Sequence, residues 1–202
     1  MASNAGYAEQ ADERARGDLT WDVERARADE LHLFPVEPCR VLDVGAGTGK
    51  DAAWLAGLGH TVTAVEPTDE LRAHGARLYP DAGLTWIEAG LPELAGVTGE
   101  YDFVLLSAVW MHLDAVERAH GMGRLAELLA PGGRAFMTLR HGPVPAGRRM
   151  FDVSGDETAA LAAEHGLRTV VNSTGHPDYT DRPGVSWTRV VLGRPAGAGA
   201  AG

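Results

Sequence analysis

The chain has 202 residues, 45% hydrophobic and 23% charged, and its 18 basic and 28 acidic residues leave a formal net charge of −10. This length suits one domain with a substantial buried core. The negative balance argues against nucleic acid as a partner, because phosphate affinity comes from Lys and Arg. Cys39, the sole cysteine, rules out an intrachain disulfide.

No stretch approaches the roughly 20 apolar residues of a membrane span. The first 17 residues are polar and carry no apolar leader-like run, so the expected location is the cytoplasm, without a membrane partner. Residues 20–34 are expected to be helical, with Trp21, Ala28, Leu31 and Phe34 on one side and Pro35 and Pro38 ending the run. Residues 1–36 thus read as an N-terminal helical segment, residues 37–193 as the main domain and residues 194–202 as a disordered Ala/Gly-rich tail.

Within the main domain, strand and helix patterns alternate. Residues 40–44 form a strand, 50–58 a helix, 61–65 a strand, 70–78 a helix and 84–88 a strand. A buried strand follows at 101–106. A helix over 113–129 stops at Pro131-Gly132-Gly133, and a strand occupies 134–139. The last elements are a helix at 157–165 and strands at 168–171 and 187–192, with the pair His176-Pro177 read as part of a turn and 181–184 as a hairpin turn. Such alternation predicts an α/β fold built on a parallel sheet.

The first strand runs into Gly45-Ala46-Gly47-Thr48-Gly49 and then a helix. Glycines let the backbone turn sharply and let a ligand approach it, and the helix start offers free N–H groups. The turn alone fits a ligand-free connection, a dinucleotide site or another nucleotide site. Glu66 ends the second strand, overlooking the ligand crevice of a doubly wound sheet, where a carboxylate accepts ribose hydroxyls. A dinucleotide motif needs a further glycine where this chain has Lys50.

The run Val41 to Gly49 resembles the first motif of the class I S-adenosylmethionine-dependent methyltransferases. Val65-Glu66-Pro67 resembles their acidic second-strand motif, Tyr101-Asp102-Phe103-Val104 their fourth strand, and Pro131-Gly132-Gly133 the turn before their fifth. The resemblance covers about residues 39–192. It implies a doubly wound, seven-stranded Rossmann-like sheet, mostly parallel with an antiparallel seventh strand and helices on both faces. It also implies an enzyme using S-adenosylmethionine and releasing S-adenosylhomocysteine, without a metal. Carried over by position, Asp43 and the backbone at Gly45, Ala46, Gly47 and Gly49 hold the methionine portion. Glu66 takes the ribose, Pro67 lies near the adenine, Glu88 with Ala89 contacts the adenine amino group, and Ser107 lies close to the methionine end.

Methyl transfer from a sulfonium is an in-line displacement in which the protein aligns the reactants and, where needed, removes a proton. His112, after the fourth strand, reads either as a general base or as a structural partner of the next helix; His141 is the alternative base. Trp110 lines the pocket or sits in the core. Arg140, Arg148 and Arg149 follow the fifth strand in an acidic chain, which suits a small anionic substrate or, equally, a solvated loop. Tyr7 and Trp21 are candidate lid residues facing the pocket. The histidines have no paired metal-ligand spacing. The expected function is methyl transfer to a small molecule by a monomer or homodimer; a protein or RNA target, or a non-catalytic cofactor-binding subunit, are the alternatives.

Overall fold

The computed structural model describes residue 4 and residues 6–197. Its seven strands are β1 (Arg40–Val44), β2 (Thr61–Val65), β3 (Thr85–Ile87), β4 (Tyr101–Ser107), β5 (Leu129–His141), β6 (Arg168–Pro177) and β7 (Ser186–Gly193). They form one sheet in the order β3-β2-β1-β4-β5-β7-β6. The pairs among β1 to β5 are parallel, and β7 is antiparallel to both β5 and β6. This is the expected architecture, with the order reversing between β1 and β4 and so leaving a crevice beyond their carboxyl ends.

Strand parity decides what each sheet face carries, because successive side chains point to opposite sides. Leu42, Val104, Leu106, Met137 and Leu139 pack on one face with α5 (Ala115–Leu128) and α6 (Gly155–Glu164). Val41, Phe103, Leu105, Phe136 and Val191 pack on the other, with Ala52 and Leu55 of α3 (Lys50–Gly57) and with Phe34. Continuing that second parity toward the strand ends reaches Asp43, Ser107, Thr138, Arg140, Trp187 and Arg189. Register aligns them: Ser107 pairs with Thr138, Thr138 with Arg189 and Arg140 with Trp187.

The largest departure from the sequence reading is the N-terminal segment. Instead of one helix over 20–34, there is a short α2 (Val23–Ala26), capped by Asp22 accepting from the Arg25 N–H at 3.0 Å, and a 3-10 turn at Leu31–Leu33. The break lets Arg27 and Glu30 turn inward and become buried. A helix α1 (Ala11–Asp18) precedes it, burying Ala11 and Ala15. Helix α4 (Asp69–Leu78) follows β2. Helix α5 begins later than expected, at a capping box in which Asp114 accepts from the Val116 and Glu117 N–H groups while Glu117 reaches back. Pro131-Gly132-Gly133 lies within β5 as a register irregularity, not as the break before it. His176 and Pro177 end a lengthened β6 instead of forming a turn. Arg194 still exchanges backbone hydrogen bonds with Gly132 and Gly133, and residues 198–202 of the expected tail lie outside the described residues.

Candidate active site

The glycine turn after β1 takes its shape from left-handed backbone at Gly45, Gly47 and Gly49, with φ of 70°, 61° and 79°. The N–H groups of Gly45 and Ala46 both donate to the Val65 carbonyl, at 2.8 and 2.9 Å, tying the turn to the end of β2. Glu66, itself buried, accepts from the Gly47 N–H and the Thr68 N–H, each at 2.9 Å. A Cβ on Gly45 would lie 2.6 Å from Val109, whereas one on Gly47 would meet nothing within 4 Å. Gly47 therefore leaves open space beside the turn, as a ligand lying against the main chain requires. Gly45→Ala is expected to cost about 1–2 kcal/mol from the left-handed backbone alone, on top of displacing Val109. Thermal unfolding should show a loss of roughly 2–8 °C; an unchanged midpoint would mean that the turn is free to reshape.

Asp43 projects from β1 into the same space. It is 2% exposed, and its Oδ2 has no hydrogen-bond partner among the described residues. Burial, then the neighbouring Asp51, push its pKa well above the ordinary carboxylate value. Asp51 behaves oppositely. Burial opposes its charge, yet Arg27 donates to it from Nη2 at 2.5 Å and Nε at 3.4 Å, and the net effect keeps it ionised. Arg27 also reaches Glu30 at 2.8 Å and the Ser107 hydroxyl at 2.8 Å, and Arg189 of β7 pairs with Glu30 at 2.8 Å. Arg27, Glu30, Asp51 and Arg189 went unread in the sequence. Parity along β7 singles out Arg189 beside Trp187, but nothing local brings Arg27 to Asp51.

These groups line one cavity of about 460 Å³ running from the glycine turn to the end of β5. Asp43, Gly45, Ala46, Gly47, Glu66, Pro67 and Ser107 line it, as do Tyr7, Trp21, His112, Arg140 and Arg148. The N-terminal segment forms one wall. Tyr7 meets His112 at 2.9 Å, Lys50 pairs with Asp18 at 2.9 Å, and Thr48 bonds the same carboxylate.

Several predicted site residues lie elsewhere. Gly49 caps α3 against Trp86. Glu88 is exposed and pairs with Arg72 at 2.9 Å, held outward by that cation, while Ala89 is buried in the core. Trp110 is fully buried in the same core. His141 lies off the cavity wall because its parity is the α5 and α6 side of β5; it contacts Thr188 at 2.8 Å and Asp152 at 3.2 Å. Arg149 turns away to Asp114 at 2.7 Å and Glu117 at 2.8 Å. Among the described residues, no three His, Cys, Asp or Glu side chains cluster as a metal site, and no helix is long and apolar enough to cross a membrane.

His112 has a defined hydrogen-bond pattern. Its Nδ1 lies 2.7 Å from the Arg149 carbonyl, an acceptor only, so Nδ1 carries the hydrogen and Nε2 accepts from the Tyr7 hydroxyl. Burial lowers its pKa, so the ring is held neutral.

A seven-stranded sheet of this order, with a glycine turn and a strand-end carboxylate on one crevice, defines a nucleotide-type ligand domain. Residues 41–133 match the family described as methyltransferase domain. Demethylmenaquinone methyltransferase of Clavibacter sepedonicus is 32% identical over 138 residues, covering 67% of this chain and 54% of its own. Ubiquinone biosynthesis O-methyltransferase of Methylocella silvestris is 36% identical over 121 residues, covering 56% of this chain and 44% of its own. The chain thus spans about half the length of the curated relatives it matches. The solved 1,6-didemethyltoxoflavin-N1-methyltransferase of Burkholderia thailandensis shares the fold with a TM-score of 0.72 at 20% identity, over 94% of this chain and 85% of its own. Over residues 41–133 the chain is thus similar to methyltransferase domains, and it has the fold of solved S-adenosylmethionine-dependent methyltransferases.

Proposed function

We propose that the protein transfers a methyl group from S-adenosylmethionine to a small anionic acceptor. The observation that carries this reading is that one and the same cavity is acidic at the glycine turn and basic at the end of β5. The relatives named for demethylmenaquinone methylation and for ubiquinone biosynthesis support a small-molecule acceptor, and the basic end of the cavity supports its charge. At the acidic end the residues fit the cofactor: Asp43 Oδ2 is an orphaned acceptor, and Gly47 leaves room beside its backbone. Asp43 and the backbone of Gly45 to Gly47 would hold the methionine portion, Glu66 the ribose hydroxyls and Pro67 the adenine side. When bound, the cofactor supplies an electrophilic methyl group.

The remaining work falls to the protein. The segment carrying Tyr7 and Trp21 covers the cavity and keeps water from it. His112, neutral and fixed, accepts at Nε2 from the Tyr7 hydroxyl, so the proton that the acceptor loses passes to that hydroxyl as the hydroxyl's own proton moves to Nε2. His112→Gln is expected to lower kcat by about 10²–10⁴, with KM little changed and the acidic limb of the pH profile lost. A parallel fall in Tm with an unaltered pH profile would assign the residue a structural role.

Calorimetry with S-adenosylmethionine and S-adenosylhomocysteine tests the cofactor; absence of binding by both overturns the reading. A metabolite-extract screen for S-adenosylhomocysteine formation then tests the acceptor. Turnover confined to protein or RNA fractions would sink the small-molecule assignment.

A further inference from the structure

Resting on that reading, we propose that the acceptor is a planar aromatic carboxylate whose acid group sits on Arg140 and Arg148. Arg140 is only 9% exposed, yet it makes one hydrogen bond, from Nη1 to the Pro143 carbonyl at 2.9 Å, and its Nε has no partner among the described residues. Arg148 bonds Gln10 through Nη2 and leaves a buried Nη1 equally unpartnered. Both line the cavity. A buried guanidinium without a carboxylate is costly, and an incoming anion removes that cost.

Asp178, the acid whose charge acts on Arg140, cannot serve. Asp178 is committed to Arg182, with contacts at 2.9 and 2.5 Å, to the Trp187 indole at 2.9 Å and to the Thr180 hydroxyl at 2.6 Å. Burial opposes its charge, but these donors hold its pKa far below the ordinary carboxylate value, so it stays with them. Burial also lowers the pKa of both Arg140 and Arg148, as expected of cations lacking a counterion.

The surroundings select the rest of the acceptor. Trp187 is the direct cross-strand neighbour of Arg140 on the same sheet face. The Tyr7 ring lies under Arg148, with the guanidinium carbon 3.4 Å from its centroid. Met111 and Met150 complete an apolar wall. Two free N–H groups beside flat apolar surfaces fit a monoanionic carboxylate on a ring better than a compact dianion.

The test is a set of NMR titrations with benzoate, benzamide, acetate and phenyl phosphate, on the protein alone and saturated with S-adenosylhomocysteine. Benzoate should bind in preference to the other three. Arg140→Gln and Arg148→Gln should each weaken benzoate by about tenfold or more, the size of one lost charge-assisted contact, with S-adenosylhomocysteine affinity unchanged. Two variants guard against misfolding of either one. Benzamide binding equally well, phenyl phosphate binding more tightly, or benzoate affinity unchanged in both variants overturns the proposal. Failure of S-adenosylhomocysteine to bind overturns the cofactor reading instead, and the cofactor-free titration still decides this one.

Discussion

Arg27→Leu is expected to be among the most destabilising single substitutions in the chain. The guanidinium ties Asp51, Glu30 and Ser107 together inside the cavity wall, and the Arg27, Glu30 and Asp51 side chains are each about nine-tenths buried. Burial opposes its charge, but Asp51 and Glu30 overcome this and hold its pKa above the ordinary value. Removing one partner of such a network leaves uncompensated buried carboxylate and costs about 3–5 kcal/mol, a large part of a typical stability of about 5–15 kcal/mol. The expected fall in Tm is roughly 6–20 °C, measured by calorimetry. Arg27→Lys keeps a charge without the planar fork and should lose less. The wild-type advantage also depends on pH. Asp51 is held below the ordinary carboxylate pKa in the folded state. Its contribution is therefore complete above the unfolded value and lost as pH falls through the folded one. The two midpoints should converge in acid; a constant gap would mean that Arg27 acts by packing alone.

That network also marks where the sequence stops being readable. Strands β1, β2 and β4 were legible because they are short β-branched or apolar runs bounded by glycine, proline or charge. The glycine turn was legible because left-handed backbone demands glycine. Glu66 was legible by its place at a strand end. Arg140 and Tyr7 were legible as residue types near the site, but Arg149 looked the same and turns away to pair with Asp114 and Glu117 at the start of α5. Which of two neighbouring arginines enters a cavity depends on the register of β5 against β7 and on the fold of a loop. His141 failed by parity: one position along β5 separates it from Arg140, and that step changes the face. Arg27 and Glu30 were hidden because they lie in a segment whose pattern suggested one helix. The chain breaks that helix so that Arg27 can satisfy Asp51, 24 positions away, and Glu30 can satisfy Arg189, 159 positions away.

Asp43→Asn should separate stability from cofactor binding. Burial, then Asp51, raise the pKa of Asp43, so the folded protein holds a proton there more tightly than the unfolded chain does. Between the ordinary carboxylate pKa and the folded value, the folded state binds more protons, and stability falls as pH rises. Asparagine removes that dependence, so the variant should unfold at a higher temperature than the wild type near neutral pH. Binding should move the other way. The methionine portion of the cofactor carries an ammonium group, which an ionised Asp43 would hold by a charge-assisted contact of about 1.5–3 kcal/mol, or roughly ten- to hundredfold in affinity. Wild-type affinity for S-adenosylhomocysteine should rise with pH over the same interval, with protons released on binding. Calorimetry in two buffers of different ionisation enthalpy reads that release directly. A variant that binds as tightly as the wild type, with no proton release in either, would remove Asp43 from the cofactor site. Both effects have one origin, because the orphaned oxygen that makes Asp43 costly in the free protein is the oxygen the cofactor would use.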